Sequence, residues 1–246
     1  MKLSSFWWLL IFSACSVNVP TDVPLPTGGH QVLFIGNSLT YTNDLPGTLS
    51  DLAKSVGDTI VAASVTNPDF AVIDHVNGLS NARVAITSRK WEFVILQQGP
   101  TTLPVNQDTL ILATKIFDPI IKSSGGKTAL FMVWPTSDHA DLFPDVLQGV
   151  QLAADAVGGI VFPAGEAWKA ALVADSRTPL YGSDGYHPAV LGTYLSALVF
   201  YEMITRHDAR LLPARAVVSG QTLSTSTATV RQLQEIAHEV AARFIK

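Results

Sequence analysis

The chain of 246 residues has a single cysteine, Cys15. One thiol has no partner, so no disulfide can form within the chain and no cysteine-based metal site exists. Charge is scarce as well: charged residues make up 15% and the net charge is −4. No Lys/Arg cluster appears, so the footprint of a nucleic-acid binder is missing. Hydrophobic residues reach 48%, which excludes a disordered or coiled-coil chain. His75, His139 and His207 stand in separate segments without His-x-x-x-His spacing, so neither a metal nor a cofactor is expected. Asp138-His139-Ala140-Asp141 reads as a solvated loop rather than a ligand cluster. Gly125-Gly126-Lys127-Thr128 lies between a helix and a strand, the reverse of a phosphate loop. No internal repeat and no second domain are visible.

What is present begins with a distinct N-terminus. Lys2 precedes an apolar stretch, Leu3 to Ala14, that is too short to span a bilayer as a stable helix. Phe12-Ser13-Ala14-Cys15 resembles a bacterial lipoprotein signal, in which cleavage leaves the cysteine to carry lipid. Phe12 departs from the smaller aliphatic residue usual there. The competing reading is an ordinary secretory signal with an incidental cysteine. Residues 1–14 are therefore expected to be a signal segment. Residues 15–30, with Pro20, Pro24, Pro26, Gly28 and Gly29, read as an extended tether. The expected location is extracytoplasmic, anchored through lipid on Cys15, with simple secretion as the alternative.

From Gln31 onward, strand and helix patterns alternate. Short apolar or β-branched runs predict strands at Val32–Ile35, Thr59–Val65, Phe93–Leu96, Ala129–Trp134 and Ile160–Phe162. Amphipathic spacing predicts helices at Leu45–Val56, Thr109–Lys122, Asp145–Val157, Glu166–Ala174, Gly192–Ile204 and Thr229–Ile245. Val72–Ile86 is helical in parts, with Gly78 interrupting it. Such alternation over residues 31–246 predicts an α/β fold, a three-layer α/β/α sandwich around a mostly parallel five-stranded sheet. In such sheets, functional groups sit on loops at the carboxyl ends of strands. Those loops carry Ser38, Gln97-Gln98 and Trp134-Pro135-Thr136.

Two short segments bear the chemistry. Ser38 lies in Gly36-Asn37-Ser38-Leu39-Thr40, just after the first strand. Asp184-Gly185-Tyr186-His187-Pro188 comes far downstream. Each is weak alone, because Gly-Asn, Asp-Gly and His-Pro all mark turns. Together they offer a hydroxyl nucleophile, a base, and a carboxylate to fix the base's tautomer. Thr40 stands where the Gly-x-Ser-x-Gly elbow would require glycine.

On these two blocks the chain resembles the SGNH (GDSL-type) hydrolase family, over roughly Gln31 to Thr205. The resemblance implies a flavodoxin-like fold and a serine esterase. Ser38 would be the nucleophile, His187 the general base and then acid, and Asp184 the orienting carboxylate. The family's glycine after the second strand is replaced by Thr66-Asn67-Pro68-Asp69, and its Gly-x-Asn-Asp block by Leu96-Gln97-Gln98-Gly99-Pro100. The expected oxyanion donors are the Ser38 N–H and a glutamine amide, Gln97 first and Gln98 second. The competing reading has both glutamines satisfying loop backbone. Asn37 and Trp134 are candidate substrate contacts, with core packing an alternative for Trp134. Glu166 and Trp168 read as the start of a helix packed on the sheet. The expected partner is a small-molecule or polysaccharide ester, probed by a monomer tethered to a membrane. An acetyl ester on a carbohydrate is the favoured substrate, with lipase and thioesterase roles behind it. A tethered carbohydrate-binding module that keeps the fold without catalysis is the alternative of a different class.

Overall fold

The computed structural model describes residues 27–245. The segment 1–14 expected to be a signal, Cys15 and most of the expected tether lie outside the described residues. Five strands, β1 (His30–Gly36), β2 (Ile60–Thr66), β3 (Phe93–Leu96), β4 (Lys127–Phe131) and β5 (Ile160–Phe162), form one sheet in the order β2-β1-β3-β4-β5. All four neighbouring pairs are parallel. This is the doubly wound, flavodoxin-like order, and it places its topological switch beside β1.

Helices cover both faces of the sheet. One layer holds α2 (Leu45–Lys54), α7 (Ala164–Ala174), α8 (Val190–Thr205) and α9 (Thr227–Phe244), which pack on one another. The other holds α3 (Val72–Val76), α4 (Ala82–Thr87), α5 (Pro104–Ser123) and α6 (Phe143–Asp155). Buried on both faces, the strands read as continuous apolar runs, and Val32 to Ile35 are wholly buried.

Helix α8 is apolar on every side, and every residue from Leu191 to Thr205 is buried. A helix of that kind belongs inside a domain rather than on its surface. Its Phe200 ring meets Phe34, Phe131 and Phe162, with centroids 5.7, 4.7 and 5.3 Å away, and so ties three strands together. Gly192 lets α8 approach closely, because a Cβ there would lie 2.4 Å from the Leu180 carbonyl oxygen and from the Trp168 ring.

Several bounds differ from the sequence expectation. Helix α5 starts at Pro104 rather than Thr109, because proline is well placed in a first turn. Strand β4 ends at Phe131, so Trp134 lies beyond the sheet edge. A four-residue helix, α1 (Ser38–Tyr41), and a hairpin, β6 (Val217–Val218) with β7 (Gln221–Thr222), have no counterpart in the expectation. The hairpin turns at Ser219-Gly220, both with positive φ (50° and 71°), as a tight two-residue turn requires.

Candidate active site

Chain reversal after β1 is local chemistry. The Asn37 side-chain oxygen accepts the Leu39 N–H at 3.1 Å, which caps α1 and sets Ser38 in its first turn. Among the described residues the Ser38 N–H donates to no acceptor. It is one of the unpaired donors that a helix start always leaves.

The second segment folds around its own aspartate. Asp184 Oδ1 accepts the Tyr186 and His187 N–H groups, each at 3.0 Å. Gly185 has φ +67°, and a Cβ there would lie 2.5 Å from Ser137 Oγ, so glycine is favoured. The loop is pinned from outside as well. Trp134 Nε1–H donates to the Tyr186 carbonyl at 3.0 Å, and Asn43 Nδ2–H to the Pro188 carbonyl at 2.8 Å.

These two folds bring together residues 149 positions apart. His187 Nε2 lies 2.9 Å from Ser38 Oγ, and His187 Nδ1 lies 2.6 Å from Asp184 Oδ2. A carboxylate at Nδ1 keeps the proton there and leaves Nε2 free to accept the serine proton. The His187 contact, followed by the two backbone donors, holds the Asp184 carboxyl down at about 2. It is therefore ionised throughout the neutral range.

Gln97 has a different place from the one expected. It is wholly buried. Its Oε1 accepts the Asn37 N–H at 2.9 Å and the Thr40 hydroxyl at 2.8 Å. Its Nε2–H donates to Asn37 Oδ1 at 2.9 Å. The carboxamide lies against Gly36, where a Cβ would sit 2.3 Å from Gln97 Oε1. Gln97 thus braces the Ser38 turn from behind, and its carboxamide, wholly buried against Asn37, does not border the cleft.

Gln98 is the glutamine that reaches a cleft. A volume of about 240 Å³ is bounded by Asn37, Asp69, Phe70, Gln98, Asn106 and Tyr186, among others. Gln98 Oε1 accepts the Val72 N–H at 3.2 Å and Nε2–H donates to Thr101 Oγ1 at 3.1 Å, which leaves one amide hydrogen uncommitted. Asn37 borders the cleft, but its polar atoms serve the scaffold. Besides capping Leu39 and meeting Gln97, it donates through Nδ2 to the Phe70 carbonyl at 2.9 Å.

Trp134 is corrected outright from a substrate contact to a core residue. It is 1% exposed and stacks on Trp168, with ring centroids 3.5 Å apart and planes 4° from parallel. It reaches the site only through the loop it holds. Asp69 has φ +61° in the turn where the resemblance expects glycine. The turn thus keeps a left-handed conformation without the residue that favours it.

One further cluster has ligand-type atoms. Glu202, Asp208 and His238 present oxygens and a nitrogen within 4.8 Å of one another. His238 Nδ1 meets Glu202 at 2.8 Å, Glu202 also accepts the Ala209 N–H at 2.9 Å, and Asp208 pairs with Arg210 at 2.7 Å. The network is complete in itself and fastens α9 to α8. Among the described residues no helix is long and apolar enough to cross a membrane.

No protein-family model matches the chain, and no curated protein matches it. Solved structures do. A DUF4886 family protein from Bacteroides uniformis superimposes with a TM-score of 0.76 at 17% identity, over 89% of this chain and 97% of that one. A proposed SGNH hydrolase from Slackia heliotrinireducens gives 0.61 at 22% identity, over 71% of this chain and 98% of that one. The fold is that of the SGNH hydrolases. An acetylxylan esterase from Geobacillus stearothermophilus shares it as well, with a TM-score of 0.54 at 16% identity, over 72% and 95% of the two chains. Within this SGNH fold, Ser38 occupies the turn after β1, and Asp184 and His187 occupy the loop before α8.

Proposed function

We propose that the protein is a serine esterase that removes a short acyl group, foremost acetyl, from a carbohydrate. The observation that carries the reading is the unbroken chain Ser38 Oγ, His187 Nε2, His187 Nδ1, Asp184 Oδ2, with links of 2.9 and 2.6 Å. A binding module has no need of such a chain.

The chemistry follows from the proton positions. His187 takes the Ser38 proton as the oxygen attacks the ester carbonyl. The oxyanion that forms is held by the unpaired Ser38 N–H, and the free Gln98 amide hydrogen is the side-chain donor we assign beside it. Ionised Asp184 stabilises the imidazolium. His187 then protonates the departing alcohol, and water releases the acyl group from Ser38 by the same proton route in reverse.

The cleft supports the substrate class. It adjoins the Ser38 turn through Asn37, and Gln98, Asn106, Thr109 and Asp69 give it hydrogen-bonding walls suited to a sugar. On the same reading the enzyme acts outside the cytoplasm as a monomer held to a membrane by lipid on Cys15. The test is an acyl-length series of p-nitrophenyl esters beside acetylated and deacetylated xylo-oligosaccharides. Acetate is expected to be cleaved fastest, with acetate released from the oligosaccharide. A rate that rises with chain length would replace this substrate class with a lipid ester.

A further inference from the structure

A buried histidine outside the Ser38–His187–Asp184 chain touches the nucleophile turn. His75, on α3, is wholly buried. Its Nε2 lies 3.0 Å from the Gly36 carbonyl oxygen and its Nδ1 lies 2.8 Å from Ser80 Oγ. A carbonyl can only accept, so Nε2 carries the hydrogen and Nδ1 accepts from the Ser80 hydroxyl. Ser80 Oγ in turn accepts the Ala82 N–H at 3.2 Å. A chain of donors thus runs from the start of α4 through Ser80 and His75 to Gly36. Burial pushes the His75 pKa down, which keeps the ring neutral and this pattern intact.

Two walls of the site converge on this ring. Gly36 directly precedes Asn37 and Ser38. Its carbonyl also accepts the Asn67 N–H at 3.2 Å, which opens the 67–70 turn. Phe70 meets the His75 ring edge-on at 5.1 Å, and the Phe70 carbonyl takes the Asn37 amide. Gln97 braces the turn from one side. His75 braces it from the other.

We infer that His75 is a positioning residue for the nucleophile. Through its Nε2–H bond it fixes the Gly36–Asn37 peptide, and with it both Ser38 Oγ and the Ser38 N–H. It touches no reacting atom. The inference rests on the reading of Ser38 as the nucleophile, since a shift of about 1 Å in a reacting group costs on the order of a hundredfold in rate.

The experiment measures the rate at which a fluorophosphonate probe labels Ser38 in the full chain and in three variants. The same proteins are assayed for kcat and KM on p-nitrophenyl acetate, and near-ultraviolet circular dichroism verifies folding. His75→Phe keeps the volume and loses the bond to Gly36. His75→Asn reaches the Ser80 position but not Gly36, whereas His75→Gln places an N–H where Nε2–H was. Labelling and kcat are expected to fall about tenfold to a hundredfold in His75→Phe and His75→Asn, with KM within about twofold, and to recover to within about threefold in His75→Gln. A folded His75→Phe that labels at the wild-type rate overturns the inference. If His75→Phe does not fold, His75→Asn and His75→Gln decide, and equal rates in those two overturn it. A wild-type chain that is not labelled at Ser38 overturns the esterase reading and this inference with it.

Discussion

Gln97→Glu is the sharpest perturbation of the scaffold behind Ser38, because it changes one atom's chemistry and almost no volume. Glutamate can still accept from the Asn37 N–H and the Thr40 hydroxyl through Oε1. The other oxygen replaces the Nε2 that donated to Asn37 Oδ1 at 2.9 Å, so two acceptors now face each other in a wholly buried site. Losing that bond and leaving the acceptors unpaired costs on the order of 2–4 kcal/mol at pH 7. Protonation repairs it, because a carboxylic acid donates where the amide did. The pKa of the new carboxyl is therefore raised in the folded state above its unfolded value of about 4.3. A raised carboxyl contributes its stability fully below the unfolded value and loses it as pH rises through the folded value. The penalty relative to wild type should thus be smallest near pH 4 and grow by up to about 1.4 kcal/mol per pH unit until the group is ionised. Urea unfolding of both proteins from pH 4 to pH 8 gives this difference directly, and the titrations they share cancel. A penalty below about 0.5 kcal/mol at pH 7, or one that does not change with pH, would refute the placement of Gln97.

Further outcomes follow from packing and burial. Trp134→Ala should lose about 3–5 kcal/mol in urea unfolding, since it removes a stacked, buried ring. Trp134→Phe should cost less but slow ester cleavage, because the Tyr186 carbonyl loses its donor; equal activity in Trp134→Phe would show that this bond does not hold the loop. Gly192→Ala should cost about 1–3 kcal/mol by the same measurement, because its methyl meets the Leu180 carbonyl and Trp168, and a neutral result would contradict that contact. Tyr181 and Tyr194 are pushed up to about 12 by burial, so their phenolate absorbance should be absent at pH 11 in the folded protein. A raised phenol stabilises the fold below the unfolded value of about 10, and that stability is lost as pH rises from there to about 12. Phenolate signal from all five tyrosines at pH 10.5 without unfolding would contradict it.

Much of this was legible in the sequence because periodicity and turn chemistry are local. Phe93–Leu96 and Ile160–Phe162 carry both of their bounds in apolar runs closed by polar or proline residues. Ser38, Asp184 and His187 were singled out by the pairing of two blocks that are each weak alone, and by the resemblance that the pair carries. The order of the two glutamines was not. Adjacent residues at a strand end point to opposite sides, and the sequence does not say which side faces the Asn37 turn. The Gln97 N–H extends the β3–β1 pairing to the Ile35 carbonyl at 2.8 Å, and this long-range register sends its side chain behind the Ser38 turn and Gln98 toward the cleft. Trp134 was read as the last residue of the fourth strand, whereas β4 ends at Phe131, and its partner Trp168 lies on α7 and stacks on it only through tertiary packing. The 217–222 hairpin did leave a local signal, Ser219-Gly220 after a β-branched pair, in a strand too short to announce itself.

The central claim is that Ser38 and His187 act as one catalytic unit. It is tested most directly by kcat/KM on p-nitrophenyl acetate for wild type, Ser38→Ala, His187→Ala and the double variant. Each single variant is expected to fall by about three orders of magnitude or more, with the double variant no lower than the singles. Folded single variants that keep wild-type activity, or losses that multiply in the double variant as for independent groups, would contradict it.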